Sequence, residues 1–350
     1  MPTKNLLVFI HGMMPEDYPP SAESIYNQLW DSVKNLSANL EHRIASDDII
    51  QVEWGRYDAL TYRPDQNINK AERFVAGKIH NKIHSDNPHL KNLDFVRNLL
   101  NFKLGSPLSQ ILQPYLHTLR QTIIYRGLGD VVYYCSDEGK VAVQVAVYGC
   151  VLNRLEYYRR KEPNTKIRLH IIAHSLGVTI ANDFLYGLFS PTVRICGDGQ
   201  EKSDQPTLFT KEFNDHDLED LRQKVKERYE FWRNPENANR LELGSIVSMA
   251  SQLPLLMLRS QRIVDELADG KKLSPEEIGI SENTDEVIWK IFYDIDDLLA
   301  FPTSPLFGDH PAIKDFQVDS GAHPGTAHTD YWKTSTVHEE IAELLNRRML

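Results

Sequence analysis

A chain of 350 residues, 41% hydrophobic and 25% charged, has the composition of a globular protein with ample apolar material for a core. Its formal net charge of −10 argues against general nucleic-acid binding and gives no attraction to an anionic membrane surface. Cys135, Cys150 and Cys196 are too few and too scattered for a disulfide framework or a zinc site. The apolar run Leu6–Ile10 is too short for a signal-peptide core, and no stretch approaches a membrane span. The expected setting is cytoplasmic, without an integral membrane segment.

Leu6–Ile10 reads as a buried strand, ended by the turn His11-Gly12-Met13-Met14-Pro15. After a Pro-rich loop, Ile25, Leu29, Val33 and Leu36 recur at helical spacing between Ser24 and about Leu40. Ile49–Trp54 is a second short strand, closed by Gly55. Residues 56–128 hold amphipathic patterns, among them Phe95–Leu104 and Leu108–Tyr125, and are expected to form a helical cap insertion. Residues 141–155 fit two templates: Val141, Val143, Val145 and Val147 alternate as in a strand, while Val141, Val145, Tyr148, Leu152 and Leu155 make a helical stripe. A helix is expected, because two parallel strands need a crossover element before residue 168.

Residues 168–173 form the next buried strand, followed by a helix over 176–189. Residues 192–243 begin as a Gly/Asp/Ser-rich loop and become a highly charged helix around Asp217–Trp232, which predicts a charged, solvated surface insertion. Gly244–Met249 and Glu286–Tyr293 are apolar runs of strand length, and Lys314–Val318 carries a less regular pattern. At the C-terminal end, Thr336 and Glu339 have capping-box spacing ahead of Val337, Ile341, Leu344 and Leu345 on one helix face. Strands alternating with helices predict one α/β domain over 1–350, a mostly parallel sheet wrapped on both faces.

The chemistry centres on Ile167 to Asn182, where a buried strand runs through Ala173-His174-Ser175-Leu176-Gly177 into a helix. Such a strand-to-helix turn presents one hydroxyl at its tip, and the small Ala173 and Gly177 leave room for it. The N–H of Leu176 then points outward at the positive end of the helix dipole. Gly12 allows close backbone approach after the first strand, so the N–H of Met13 would pair with that of Leu176 to receive an oxyanion. The plain alternative is that His11-Gly12 only closes a strand.

A serine needs a base and an acid. Of 13 histidines, His170 and His174 lie too close to Ser175 on its own strand, and His338 falls inside the last helix. His80 and His84 lack a carboxylate at metalloprotease spacing and read as a solvated helix face. His310, His323 and His328 remain; His328, in Gly325-Thr-Ala-His-Thr-Asp-Tyr-Trp332, is preferred, with His323 the alternate. Trp289-Lys-Ile-Phe-Tyr-Asp-Ile-Asp-Asp297 offers Asp294, Asp296 and Asp297, of which Asp297 is chosen and Asp294 stands second.

The order Ser175, Asp297, His328 differs from that of chymotrypsin-like and subtilisin-like enzymes. With the Ala-His-Ser-Leu-Gly elbow and the His-Gly strand end, the chain resembles α/β-hydrolases of the serine esterase/lipase type. The likeness covers the sheet segments from residue 5 onward but neither insertion. Tyr-Asp-Ile-Asp-Asp-Leu-Leu-Ala300 resembles the family's acid segment, and Ala-His-Thr-Asp-Tyr-Trp332 its base segment; Val247-Ser-Met-Ala-Ser-Gln-Leu-Pro254 resembles the strand after the elbow. Two departures stand out: Ala173 replaces the elbow's usual first glycine, and Leu298 stands where many members have proline. The resemblance implies a serine hydrolase acting on carboxylic or lipid esters through an acyl-enzyme, with no cofactor and no metal. Acyltransferase or thioesterase chemistry uses the same triad, and a non-catalytic binding or effector protein on this scaffold is the alternative of another class.

Overall fold

Leu6 to Ile10 are buried without exception. A strand in a parallel sheet has helices against both faces, which accounts for that continuity. Alternate side chains of β1 (Thr3–Ile10) point to opposite faces. Leu6, Val8 and Ile10 join one core, Leu7 and Phe9 the other. The computed structural model describes residues 2–12, 22–37, 39–52, 131, 134–135, 137–195, 207–210, 212–214, 216–238, 240–257, 261–321 and 324–349. The expected cap over 56–128 lies outside these residues, as do Met13, His80, His84 and His323.

Within the described residues, β1 joins β2 (Ile49–Val52), β3 (Lys166–His174), β4 (Leu241–Met249), β5 (Trp289–Tyr293) and β6 (Ile313–Gln317) in one sheet. Its order is β2-β1-β3-β4-β5-β6, and each neighbouring pair runs parallel. The chain is therefore of the α/β class. Helix α1 (Ala22–Asn35) follows β1 and packs Tyr26, Leu29 and Val33 on the face of Leu7 and Phe9. Helix α2 (Asp137–Lys161) precedes β3 and packs on the opposite face. The chain thus moves to one side of β1 through one face and returns to the other side through the opposite face. Such a reversal leaves a crevice at the C-terminal ends of β1 and β3.

The strand-or-helix ambiguity over 141–155 resolves as helix, and its cause is visible. Every residue from Val141 to Leu152 is buried, so this stretch of α2 has no polar face to mark a helical period. Helix α3 (Leu176–Phe189) lies beside it, and α4 (His216–Arg233) packs on both. The expectation of a solvated excursion over 192–243 is corrected there. Leu218, Val225, Tyr229 and Trp232 of α4 are buried in the core, and the Tyr229 hydroxyl donates to the Phe184 carbonyl at 2.6 Å. Arg222, also buried in this stripe, is paired with Glu219 and the Phe209 carbonyl, while Asp220, Lys224, Glu227 and Glu230 occupy the exposed face. The segment's last residues, from Leu241, already belong to a central strand.

Strands β4 and β5 are joined through α5 (Leu253–Met257) and α6 (Gln261–Ala268). After β6 come α7 (Pro324–Thr329) and α8 (Ser335–Arg348). The expected capping box at Thr336 and Glu339 is not formed: α8 starts at Ser335 with Thr334 as its N-cap, whose side chain makes no capping bond. Tertiary contacts fix this helix instead. Lys290 of β5, 2% exposed, donates to the Glu340 carbonyl at 3.0 Å and the Glu343 carboxylate at 2.8 Å, and pairs with the Glu340 carboxylate. Among the described residues, no helix is long and apolar enough to cross a membrane.

Ile341 of α8 is fully buried against the sheet, whereas Leu36 is 53% exposed. Ile341→Ala is expected to cost about 2–5 kcal/mol of unfolding free energy in urea titration. Leu36→Ala should stay within about 0.5 kcal/mol of the parent. Equal effects would contradict the packing described.

Candidate active site

Strand β3 ends at His174, and α3 begins at Leu176. Ser175 between them has φ 55° and ψ −129°, a conformation that costs a non-glycine residue roughly 1–2 kcal/mol. Neighbouring backbone holds it there. Ser175 N–H donates to the Met249 carbonyl of β4 at 2.9 Å, and the Ser175 carbonyl accepts from Val178 N–H at 3.0 Å. The glycines interlock with the turn. A Cβ on Gly177 would sit 2.5 Å from the carbonyl oxygens of both Ile10 and His11, and one on Gly12 would sit 2.5 Å from Ser175 Cβ. The His11–Gly12 segment and the serine turn therefore pack directly together. Tyr26 secures the first: its hydroxyl accepts from His11 N–H at 2.7 Å and donates to the Val52 carbonyl at 2.8 Å. Leu176 N–H, at the first helical residue, has no intrahelical acceptor and stands beside the serine.

The structure brings Ser175, His328 and Asp297 together from three different strand ends. His328 Nε2 is 2.9 Å from Ser175 Oγ, and its Nδ1 is 2.9 and 3.0 Å from the two oxygens of Asp297. His328 sits in the last turn of α7. The carboxylate can only accept, so the ring carries its proton on Nδ1 and turns a lone pair toward the serine hydroxyl. Asp297 also accepts from Leu299 N–H at 2.9 Å and from the Tyr331 hydroxyl at 3.1 Å. Burial and the neighbouring Asp297 charge push the Tyr331 phenol well above its ordinary pKa, so it remains a donor.

The other acids and histidines have different duties. Asp294 does not bind the base. Its carboxylate accepts from Asp296 N–H at 2.9 Å and from Ser320 N–H and Oγ at 2.6 and 2.8 Å. Burial opposes ionisation there, but these donors outweigh it and hold the carboxyl below its ordinary range. The Ser320 hydroxyl also lies 2.7 Å from the Ala327 carbonyl, which ties this acid to the helix carrying His328. Asp296 is exposed. His310 turns away to the Glu282 carbonyl at 3.1 Å.

Three residues in the site carry no role in the sequence reading. His174 donates from Nε2 to the His328 carbonyl at 2.7 Å, with the two ring centroids 5.3 Å apart. Tyr331, three positions after His328, braces the acid. Gln252, 3% exposed, places Nε2 3.1 Å from Ser175 Oγ. Spacing could have pointed to Tyr331, and strand position to His174. No local pattern marks Gln252. Ser175 is 1% and His328 8% exposed, so the pair is largely shielded from solvent, where charges and dipoles act more strongly than in water.

Burial, reinforced by the neighbouring His328, lowers the His174 pKa to about 3, against 6.5 for a free imidazole. The folded chain keeps this ring neutral where the unfolded chain protonates it. Its contribution to stability is therefore full above pH 6.5 and is lost as the pH falls toward 3, by about 1.4 kcal/mol per pH unit within that window. Urea unfolding of His174→Asn between pH 5 and 6 should show a pH slope shallower by up to one proton than the parent. An unchanged slope would contradict a buried neutral ring.

No protein-family model, curated protein or solved structure matches the chain.

Proposed function

We propose that the protein is a serine hydrolase of the α/β-hydrolase type that cleaves carboxylic esters through an acyl-enzyme. The observation that carries this reading is the continuous chain Asp297–His328–Ser175, with a strained serine at its end and every link within 3.0 Å. A polar core cluster has no need of a serine held at positive φ at a sheet's switch point. A nucleophile has.

His328 Nε2 takes the proton of Ser175 Oγ as the oxygen attacks an ester carbonyl. Asp297 fixes the ring's tautomer and stabilises the imidazolium. Leu176 N–H receives the tetrahedral oxyanion, and Met13 N–H, immediately after Gly12, is the expected second donor. The imidazolium protonates the departing alkoxide. Water activated by the same ring then releases the acid.

Leu255, Ile295 and Leu298 are 49%, 71% and 61% exposed on the segments that follow β4 and β5, at the end of the sheet where Ser175 and Asp297 also leave their strands. Exposed large apolar side chains beside a reactive centre favour an apolar acyl group. Hydrolysis of p-nitrophenyl esters should therefore rise from acetate to longer acyl chains. A profile that peaks at acetate would contradict the apolar-ester reading.

Ser175→Ala is expected to lower kcat on the preferred ester by about 10⁶-fold. Asp297→Asn should lower it by about 10⁴-fold, because the tautomer is lost. Asp294→Asn should act mainly through stability, since that carboxylate anchors the 320–321 segment and not the base. Unchanged hydrolysis by Ser175→Ala would remove the reading.

A further inference from the structure

Strand β4 lies beside β3 on the flank away from β1. Its C-terminal end holds another of the four non-glycine residues with positive φ among the described residues, Ala250 at φ 53°. The turn around it is fixed on all sides. Ala250 N–H donates to the Phe292 carbonyl at 3.1 Å, and the Ser251 carbonyl accepts from Phe301 N–H at 2.9 Å. Ser251 Oγ bonds Thr303 Oγ1 at 3.1 Å, and the Gln252 carbonyl accepts from Leu256 N–H at 3.0 Å. A strained residue over-determined by its neighbours points to a functional constraint. Here its result is that Gln252 is aimed at Ser175, with Nε2 3.1 Å from Oγ.

Chemistry settles which end of the carboxamide faces the serine. Ser175 has one proton and gives it to His328 Nε2, so a second polar partner of Oγ must be a donor. An amide oxygen turned to the same place would meet lone pairs. The N–H of Gln252 therefore occupies the remaining acceptor site of the hydroxyl.

We propose that Gln252 is a catalytic residue: its carboxamide N–H stabilises the charge on Ser175 Oγ whenever the O–H or O–acyl bond of that oxygen breaks. The proposal rests on the reading of Ser175 as nucleophile. In acylation the Oγ proton passes to His328 as the Oγ–C bond forms; the ester C–O bond then breaks, and the leaving alkoxide takes that proton. In deacylation water gives a proton to His328 and its oxygen bonds the acyl carbon. The Oγ–C bond breaks and Oγ recovers the proton. Negative charge gathers on Oγ in both steps, most strongly as it departs. A donor already fixed beside it needs no reorganisation.

Gln252→Met keeps side-chain length and removes the donor; Gln252→Glu keeps the shape and presents an acceptor. Each should lower kcat on a p-nitrophenyl ester by roughly 10- to 1,000-fold with KM changed by less than about threefold, at a melting temperature near the parent's. Turnover of both within about threefold of the parent would overturn the proposal. Ser175→Ala separates the two readings. If it is inactive while Gln252→Met is fully active, only Gln252 loses its role; if it stays active, the nucleophile itself is wrong. A crystal structure of the parent carrying a phosphonate on Ser175 decides the matter even if both variants fail to fold. Gln252 Nε2 within about 3.2 Å of Oγ supports the role, and a carboxamide turned away overturns it.

Discussion

The left-handed backbone of Ser175 is the constraint on which the rest of the site depends. At φ 55° the residue projects its side chain from the tip of the turn; in an extended conformation the strand would simply continue. The strain is held by the sheet below it, by the interlocked Gly12 and Gly177, and by the Met249 carbonyl that takes its N–H. These holders come from β1, α3 and β4. The parallel order that makes β1 and β4 the neighbours of β3 is therefore a condition for the hydroxyl's position. The apolar sheet residues contribute to the site by keeping those neighbours in register.

A second requirement is that the buried polar groups satisfy one another. An unpaired carboxylate so deep would be costly, and Asp297 avoids this by accepting from His328, Leu299 and Tyr331. His328 is fixed at both its ring and its backbone, the latter through His174. Asp294 and Ser320 join the acid loop to the base helix. The network is preorganised because Asp297, His328, Tyr331, Asp294 and Ser320 each hold more than one partner. Positioning of this kind lets fixed dipoles act in a site largely shielded from solvent.

Much of this was legible in the sequence, and the failures have identifiable physical causes. The strands and the serine turn follow from patterns within a few residues, and there the structure agrees with them; it also brings the expected Asp297 and His328 beside Ser175. The ambiguity over 141–155 comes from a helix without a polar face; the helix over 217–232 is where the sequence places it, but its charges outnumber a narrow buried stripe and so hide that it packs on the core. The capping-box spacing at Thr336 misled because the tertiary contacts of α8 set its start. Leu298 is 61% exposed while the adjacent Asp297 is buried, so the two side chains leave the turn in different directions. Gln252 was invisible because its direction depends on a positive φ two residues earlier and on a strand that is distant in sequence.

Covalent labelling tests the central claim most directly. A fluorophosphonate reacts with a serine oxygen only when a nearby base activates it, and mass spectrometry of the digested adduct locates the modified residue. The account predicts one phosphonyl group per chain, on the peptide containing Ser175, with the rate abolished in His328→Ala. An unlabelled protein, or an adduct on any other residue with Ser175 unmodified, would contradict it.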